Sequence, residues 1–322
     1  MPVFLAGENA NPMSSVKISL VTVAGCFLLA ATTGLLGRFS WLFEMASHLR
    51  LGFLVAGVIA IGIALLLRRA GFALLILLAL LPHAWALRIH LPADQPAGGL
   101  PFTVLTANLL WVNPRPAEAV AWLAGQDADI VVLQEKSDIW DAHLGPLAAG
   151  YPHAVPDDPA SSVDVMVFSR HPVLDVAPLS PGSRFVSGMA ITLDVDGRQL
   201  LVVAVHTISP FSAGHAAARN RQLAGIAVLA MARADLPVIV VGDLNVTPYS
   251  PEFDVLGSAG LSGRAGSGTP LATWPVWLPV LGLPIDHVLG NARVAIDRVE
   301  RGPDIGSDHY PVTAWLRLLD AT

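Results

Sequence analysis

One cysteine, two lysines and a charged fraction of 14% are all that 322 residues offer. The cysteine, Cys26, lies in an apolar run near the N-terminus, so neither a disulfide nor a cysteine metal site is available to the rest of the chain. The lysines are Lys17 and Lys136, against 17 arginines, which reads as compositional bias. No Lys/Arg cluster stands anywhere. From residue 101 onward 22 acidic residues face 13 basic ones, a net charge of −9. A surface so charged is poorly suited to tracking a polyanion, where binding strength comes largely from cations set against phosphates. Nucleic acid is therefore not the expected partner. Internal repeats and low-complexity segments are absent as well.

What the chain has in excess is apolar sequence: 53% hydrophobic residues and a mean hydropathy of +0.59, too high for a soluble protein throughout. The excess sits before residue 92, in Val16–Leu36, Leu49–Leu67 and Gly71–Ile89. Each is long enough for a hydrocarbon core of roughly 30 Å, and three in succession predict a membrane domain over residues 1–91 with three transmembrane helices. A cleaved signal peptide fits the first stretch less well, since no small-residue cleavage site leads into a polar mature start. Residues 92–100, rich in Pro and Gly, read as a linker, and 101–322 as one further domain. The positive charges on the two sides tie: Lys17, Arg68 and Arg69 against Arg38, Arg50 and Arg88. The tight Arg68-Arg69 turn tips the expectation toward a cell-membrane protein whose C-terminal domain is outside the cytoplasm.

Beyond residue 100 short Val/Ile/Leu runs alternate with helical stretches. Strands are predicted over 102–107, 129–133, 164–168, 189–195, 200–205, 237–241 and 285–289, and helices over 117–125, 137–149 and 216–234. Hairpins mixed with strand–helix units predict an α/β fold of two packed mixed sheets with helices outside.

Polar residues end these apolar runs in a fixed order: Asn108 after Phe-Thr-Val-Leu-Thr-Ala, Glu135 after Asp-Ile-Val-Val-Leu-Gln, and His206 after Leu-Leu-Val-Val-Ala-Val. Then come Gly242-Asp243-Leu244-Asn245 and Ser307-Asp308-His309, with Asp286 opening Asp-His-Val-Leu. A lone Glu after a strand is usually a surface group, and a lone His a satisfied core residue. Six such ends bring carboxylates, amides and imidazoles to one rim, where they can hold a divalent metal, polarise a phosphoryl oxygen and move a proton.

With these signatures, residues 101–318 resemble the endonuclease/exonuclease/phosphatase superfamily, which includes DNase I, abasic-site endonucleases, neutral sphingomyelinases and inositol-polyphosphate 5-phosphatases. The resemblance implies a four-layer sandwich with its site at one end of the two sheets. It implies Glu135 and Asn108, with Asp308 as a further ligand, holding Mg²⁺ or Mn²⁺ through hard oxygen donors. It makes Asp243 the group that positions or deprotonates the attacking water, Asn245 a donor to the phosphoryl oxygen, and His309 the residue facing the scissile phosphate. Asp286 then orients His309, and His206 stands on the leaving-group side. Some abasic-site enzymes carry an acidic residue two positions after the Asn; here Leu110 stands there. With its apolar N-terminus the chain most resembles the membrane proteins associated with teicoplanin resistance.

Two weaker features remain. Arg219 and Arg221, on a helix after His206, read either as a solvated helix face or as cations that reach a substrate phosphate. The apolar stretch 269–283, holding Trp274 and Trp277, reads either as a loop packed on the core or as a lip guiding a lipid headgroup toward the metal, since Trp favours the membrane interface. The expected function is a membrane-tethered, metal-dependent phosphoesterase acting on a phosphate ester or pyrophosphate of a lipid-linked or membrane-proximal substrate. A nuclease for external nucleic acid shares the site but not the surface charge. A silent binding or scaffold protein has no use for the whole constellation.

Overall fold

The computed structural model describes residues 31–155, 165–179 and 187–320, and the chain divides into two compact units, Met1–Ala86 and Leu87–Thr322.

In the first unit, α1 (Trp41–Ser47), α2 (Arg50–Leu66) and α3 (Ala70–Ala86) follow one another. Gly57 of α2 leaves room for Leu80 of α3, where a Cβ would overlap the leucine side chain. Outward, Val58, Ile59, Leu66, Leu74, Leu75 and Leu78 are exposed, which suits lipid rather than water. Three spans are not confirmed. Among the described residues one helix, Ala70–His90, is long and apolar enough to cross a membrane, or two if α1 and α2, bent by 66° at their junction, are taken as one span. The stretch expected over 49–67 forms a helix of 17 residues, about 25 Å long, short of the hydrocarbon thickness by itself. Most of the first predicted span, Val16–Leu36, lies outside the described residues.

In the second unit two sheets lie face to face. One has the order β10-β11-β1-β2-β4-β3 and the other β5-β6-β7-β8-β9. The strands of the first are β1 (Leu100–Asn108), β2 (Ile130–Gln134), β3 (His153–Val155), β4 (Val165–Ser169), β10 (Val294–Arg301) and β11 (Val312–Leu318). Those of the second are β5 (Val173–Pro178), β6 (Ser187–Val195), β7 (Arg198–His206), β8 (Val238–Asp243) and β9 (Asp286–Gly290). Strand side chains alternate between faces. Phe102, Val104, Ile130, Val132, Val202, Ala204, Ile239, Val241 and Val288 meet between the sheets. The opposite parity packs outward. Leu105, Ala107, Val131 and Leu133 meet Val120 and Leu123 of α4 (Pro116–Ala124), while Leu201, Val203 and Val240 meet Leu223 and Ile226 of α5 (Ala213–Ala232). Helix, sheet, sheet, helix: the four layers follow from both parities being apolar.

Four strands escaped the pattern reading: β3, β5, β10 and β11. β3 has three residues, β5 is an exposed edge strand, and β10 alternates with Asp and Arg toward water. The helix expected over 137–149 is two single turns, Asp138–Asp141 and Gly145–Ala148, interrupted at Gly145-Pro146.

Residues 92–100 are not a free linker. Ala93 N donates to Ala265 O at 3.0 Å, Gln95 Nε2 to Arg264 O at 3.1 Å, and Ile296 N to Gln95 Oε1 at 3.0 Å. The Arg317 guanidinium holds the Pro96 and Gly98 carbonyls. At the head of this strap His90 Nε2 meets Tyr249 Oη at 2.6 Å, and Thr269 lies against its Nδ1.

Candidate active site

The parity that builds the inter-sheet core continues past its last apolar residue. After Phe102 and Val104, the inward positions of β1 are Thr106 and Asn108. After Ile130 and Val132 comes Gln134, and after Ile239 and Val241 comes Asp243. Asn108 pairs with Gln134 across parallel strands, His206 pairs with Asp243, and Asp243 pairs with Asp286. Directly paired residues face the same way. His206, Asp243 and Asp286 therefore form a row across β7, β8 and β9, opposite Asn108 on the other sheet.

The row is closed by His309, carried by the loop before β11. Its Nδ1 lies 3.0 Å from Asp286 Oδ2, and its Nε2 3.7 Å from Asp243 Oδ2. On the other side His206 Nε2 is 3.6 Å from the same Asp243 oxygen. Asn108 Nδ2 bridges the sheets, donating to Glu135 Oε1 at 3.0 Å and to Asp243 Oδ2 at 3.4 Å. Asn108, His206, Asp243, Asp286 and His309 are all buried.

Burial without full pairing sets the electrostatics. Burial raises the Asp243 carboxyl to about 8, helped by the charges of Asp286 and Glu135, although His309 and the Asn245 N–H pull the other way. For His309 burial works downward but is outweighed by Asp286, then Asp243 and Asp308, and the imidazole is raised to about 10. Asp286, also opposed by burial, is held below the usual carboxylate range by His309 and Thr273. His206 falls to about 3, mainly through burial and then through the charge on His309. One histidine is thus cationic at neutral pH and the other neutral, on two sides of one carboxyl group.

Glu135 breaks the parity. One step beyond Gln134 its side chain would point toward α4, but its φ of 57° places it in the left-handed region and returns the carboxylate to the rim. There Trp111 N donates to Oε2 at 3.2 Å. Asn245, at φ 47°, is also left-handed, and its backbone N–H reaches Asp243 Oδ1 at 2.8 Å. Left-handed non-glycine residues are costly and cluster at functional sites.

A family model described as the Endonuclease/Exonuclease/phosphatase family matches residues 105–309. The chain belongs to this family. Its members are hydrolytic phosphoesterases and nucleases, most of them metal-dependent. No curated protein matches the chain. Among solved structures it resembles an endonuclease/exonuclease/phosphatase from Beutenbergia cavernae at 21% identity and a TM-score of 0.53, covering 69% of this chain and 72% of the other. Sphingomyelinase C from Streptomyces griseocarneus gives 21% and 0.52, with 67% and 99% covered. The 3′ phosphatase NExo from Neisseria, bound to a product DNA hairpin, gives 21% and 0.52, with 66% and 98% covered. At these identities the likeness is one of fold.

Within this family frame the expected ligands can be placed. Glu135 and Asn108 touch, as above. Asp308 accepts from Trp274 Nε1 through Oδ2 at 2.9 Å, while its Oδ1 is buried with no protein partner. Asp286 Oδ1 is likewise buried and unpartnered. Asp243, Asp286 and His309 offer ligand atoms all within 4.8 Å of one another, a different trio from Asn108, Glu135 and Asp308. Hard oxygens with spare lone pairs fit a divalent cation. His309 Nδ1 is committed to Asp286, so that pair reads better as an oriented imidazole than as two ligands.

Some expectations need correction. Arg219 is fully buried, with NH1 on Asn245 O at 3.1 Å and Nε on Asn220 Oδ1 at 3.0 Å, so it braces the turn after Asp243 and does not face a substrate. The Asn245 amide turns to the neighbouring loop, donating to Thr207 O at 2.9 Å and accepting from Ser209 Oγ at 3.0 Å; to reach a phosphoryl oxygen it must leave Thr207. Trp274 and Trp277 part company: the first is half-buried against Asp308, the second 78% exposed. His287 faces away from the row, onto Val246 O.

Pattern reading missed the supports. Thr106 and Gln134 hydrogen-bond each other below Asn108, at 3.0 Å from Gln134 Nε2 to Thr106 Oγ1. Ser307 Oγ donates to Asn108 O at 2.7 Å and accepts from His309 N at 3.0 Å. Thr273 Oγ1 accepts from Asp286 N at 3.2 Å. For Thr106 and Gln134 the signal was present, since both share the inward parity of an apolar strand.

Proposed function

We propose that the chain is a membrane-tethered, divalent-metal-dependent phosphoesterase. It hydrolyses a phosphate ester or pyrophosphate of a lipid-linked or membrane-proximal substrate, with the catalytic unit outside the cytoplasm, as in the teicoplanin-resistance proteins it resembles. The observation that carries the reading is the buried row His206–Asp243–Asp286 closed by His309. A binding module gains nothing from burying two carboxyls and two imidazoles at such cost.

Glu135 and Asn108, with Asp308, would hold Mg²⁺ or Mn²⁺. When bound, the cation supplies positive charge to the phosphoryl oxygens. In its ionised form, which predominates above about pH 8, Asp243 is fixed through Oδ1 by the Asn245 N–H, presents Oδ2 to the attacking water and takes its proton as the water oxygen bonds to phosphorus. The bond from phosphorus to the leaving oxygen breaks, and that oxygen takes a proton from solvent. His309, kept cationic by Asp286, faces the phosphate and offers charge as the equatorial oxygens become more negative. His206, neutral beside Asp243, is a hydrogen-bonding group on the leaving-group side.

The anchor rests on the Ala70–His90 helix, and the substrate class on the anchor together with the acidic surface. A tethered enzyme gains local concentration for a lipid headgroup and little for a diffusing polymer. The test is hydrolysis of a panel of lipid phosphate, lipid pyrophosphate, soluble phosphoester and DNA by the full chain in detergent. Chelation is expected to abolish turnover and Mg²⁺ or Mn²⁺ to restore it. Asp243→Asn is expected to cost about 10²–10⁴-fold. Full turnover without metal refutes the mechanism, and a higher catalytic efficiency on DNA refutes the substrate class.

A further inference from the structure

The strands settle which loops share the catalytic end of the sandwich. β1, β2, β7 and β8 finish there, while β9 and β11 start there, by the pairings Asn108 with Gln134, Asp243 with Asp286 and Thr106 with Val312. Three loops at that end expose large apolar side chains: Trp111 and Val112 after β1, Phe211 after β7, and Trp277 and Val280 before β9. Phe211 is 83% exposed and Val112 71%. At the other end, the connections 125–129, 170–172, 194–198, 233–237 and 291–293 expose no large apolar residue among the described residues, although Leu174 and Met231 beside them are exposed and no aromatic side chain joins them. There the exposed positions include Asp127, Asp196 and Asp235.

The strap gives this asymmetry a direction. It begins at His90, held by Tyr249, which follows the catalytic end of β8, and by Thr269; the cavity of about 620 Å³ that Ile89 and His90 line runs along β9 from Asp286 to Leu289. It then passes Ala265 and Ile296 and reaches Arg317 and Leu318 before β1 starts at the far end. The chain therefore enters the catalytic unit at its catalytic end, four residues after Ala86, and not at the end where β1 starts. Those four residues form a single 3₁₀ turn, about 8 Å long.

We propose that the catalytic end docks on the bilayer, with Trp111, Val112, Phe211, Trp277 and Val280 inserted at its interface. This rests on the membrane-anchored reading of Ala70–His90 but not on hydrolysis. The occupant is the bilayer because the apolar loops follow β1 and β7 and precede β9 at the end where the sequence from the candidate span joins this unit beside Tyr249 and Thr269, and Trp and Phe are side chains that partition to that depth. The acidic surface of the unit makes a zwitterionic lipid face the better match.

The test uses the full chain with Cys26→Ser, reconstituted in phosphatidylcholine vesicles and labelled at one introduced cysteine with an environment-sensitive fluorophore. Rim sites are Val112→Cys, Phe211→Cys and Val280→Cys; far-end sites are Asp196→Cys and Asp235→Cys. With nitroxide on the lipid headgroups, each rim probe is expected to lose roughly half its emission or more, and the far-end probes to keep theirs. Rim probes quenched no more than far-end probes overturn the proposal. So does protection that rises with protein density at fixed lipid, which would mark a second copy of the chain as the occupant. An inactive protein with quenched rim probes refutes hydrolysis alone, and an active one with probes in water refutes docking alone.

Discussion

Replacing Asp286 by Asn tests the centre of the argument at the least steric cost. The carboxylate lies 3.0 Å from His309 Nδ1, both are buried, and His309 is raised from 6.5 to about 10. That rise is about 3.5 units, worth about 5 kcal/mol at 1.36 kcal/mol per unit, with Asp286 the largest upward contributor. Loss of one partner of a buried pair costs about 3–5 kcal/mol, a range that covers most of that rise. Without the carboxylate, burial dominates and the imidazole is expected to titrate at or below its ordinary value. The sign for stability follows: because the folded state binds the His309 proton more tightly, the contribution is full below about pH 6.5 and is lost as pH rises through about 10. Asp243, raised to about 8, acts in the same sense: its contribution is full below about pH 4 and is lost as pH rises through about 8. Two readouts separate the causes in the metal-free protein: imidazole NMR against pH for His309, and turnover after metal is restored. The variant should lose the high-pH titration of His309 and about 10²-fold or more in kcat. An imidazole that still titrates near 10, or a kcat loss below about tenfold, refutes the role given to the pair.

Three further outcomes follow from the geometry. Gly242→Ala should destabilise the protein by about 3 kcal/mol or more, seen in thermal unfolding, because φ is 137° and a Cβ would overlap the Val205 carbonyl oxygen; an unchanged Tm refutes this. Trp274→Ala should impair hydrolysis of soluble and lipid substrates alike, since it frees Asp308, whereas Trp277→Ala should impair only the lipid substrate; equal responses in both variants would remove the distinction drawn between the two tryptophans. A reporter active only outside the cytoplasm, fused after Thr322, should be active, and activity of a cytoplasm-only reporter at the same site would reverse the assigned topology.

Much of the fold and the site was legible along the chain because both obey a two-residue period. The runs before Asn108, His206 and Asp243 are apolar on both parities, which is what a sheet covered on two faces requires, and the polar residue that ends each run inherits its parity. The fold class, seven strands, the helices α4 and α5, and the residues of the row are consequences of that pattern. Three features were decided only in three dimensions. Glu135 reaches the site through left-handed backbone that contradicts its parity, and a local pattern carries no sign of that reversal. Arg219 looked like a free cation on a helix, and only the packing of α5 against the turn after Asp243 shows its guanidinium spent on Asn245 O. Residues 92–100 carry the composition of a loose linker, yet their hydrogen bonds go to Ala265, Ile296 and Arg317, about 170 to 220 positions away. Composition sets which groups a segment has to satisfy; where the partners stand is decided by the sheets that bring distant residues alongside.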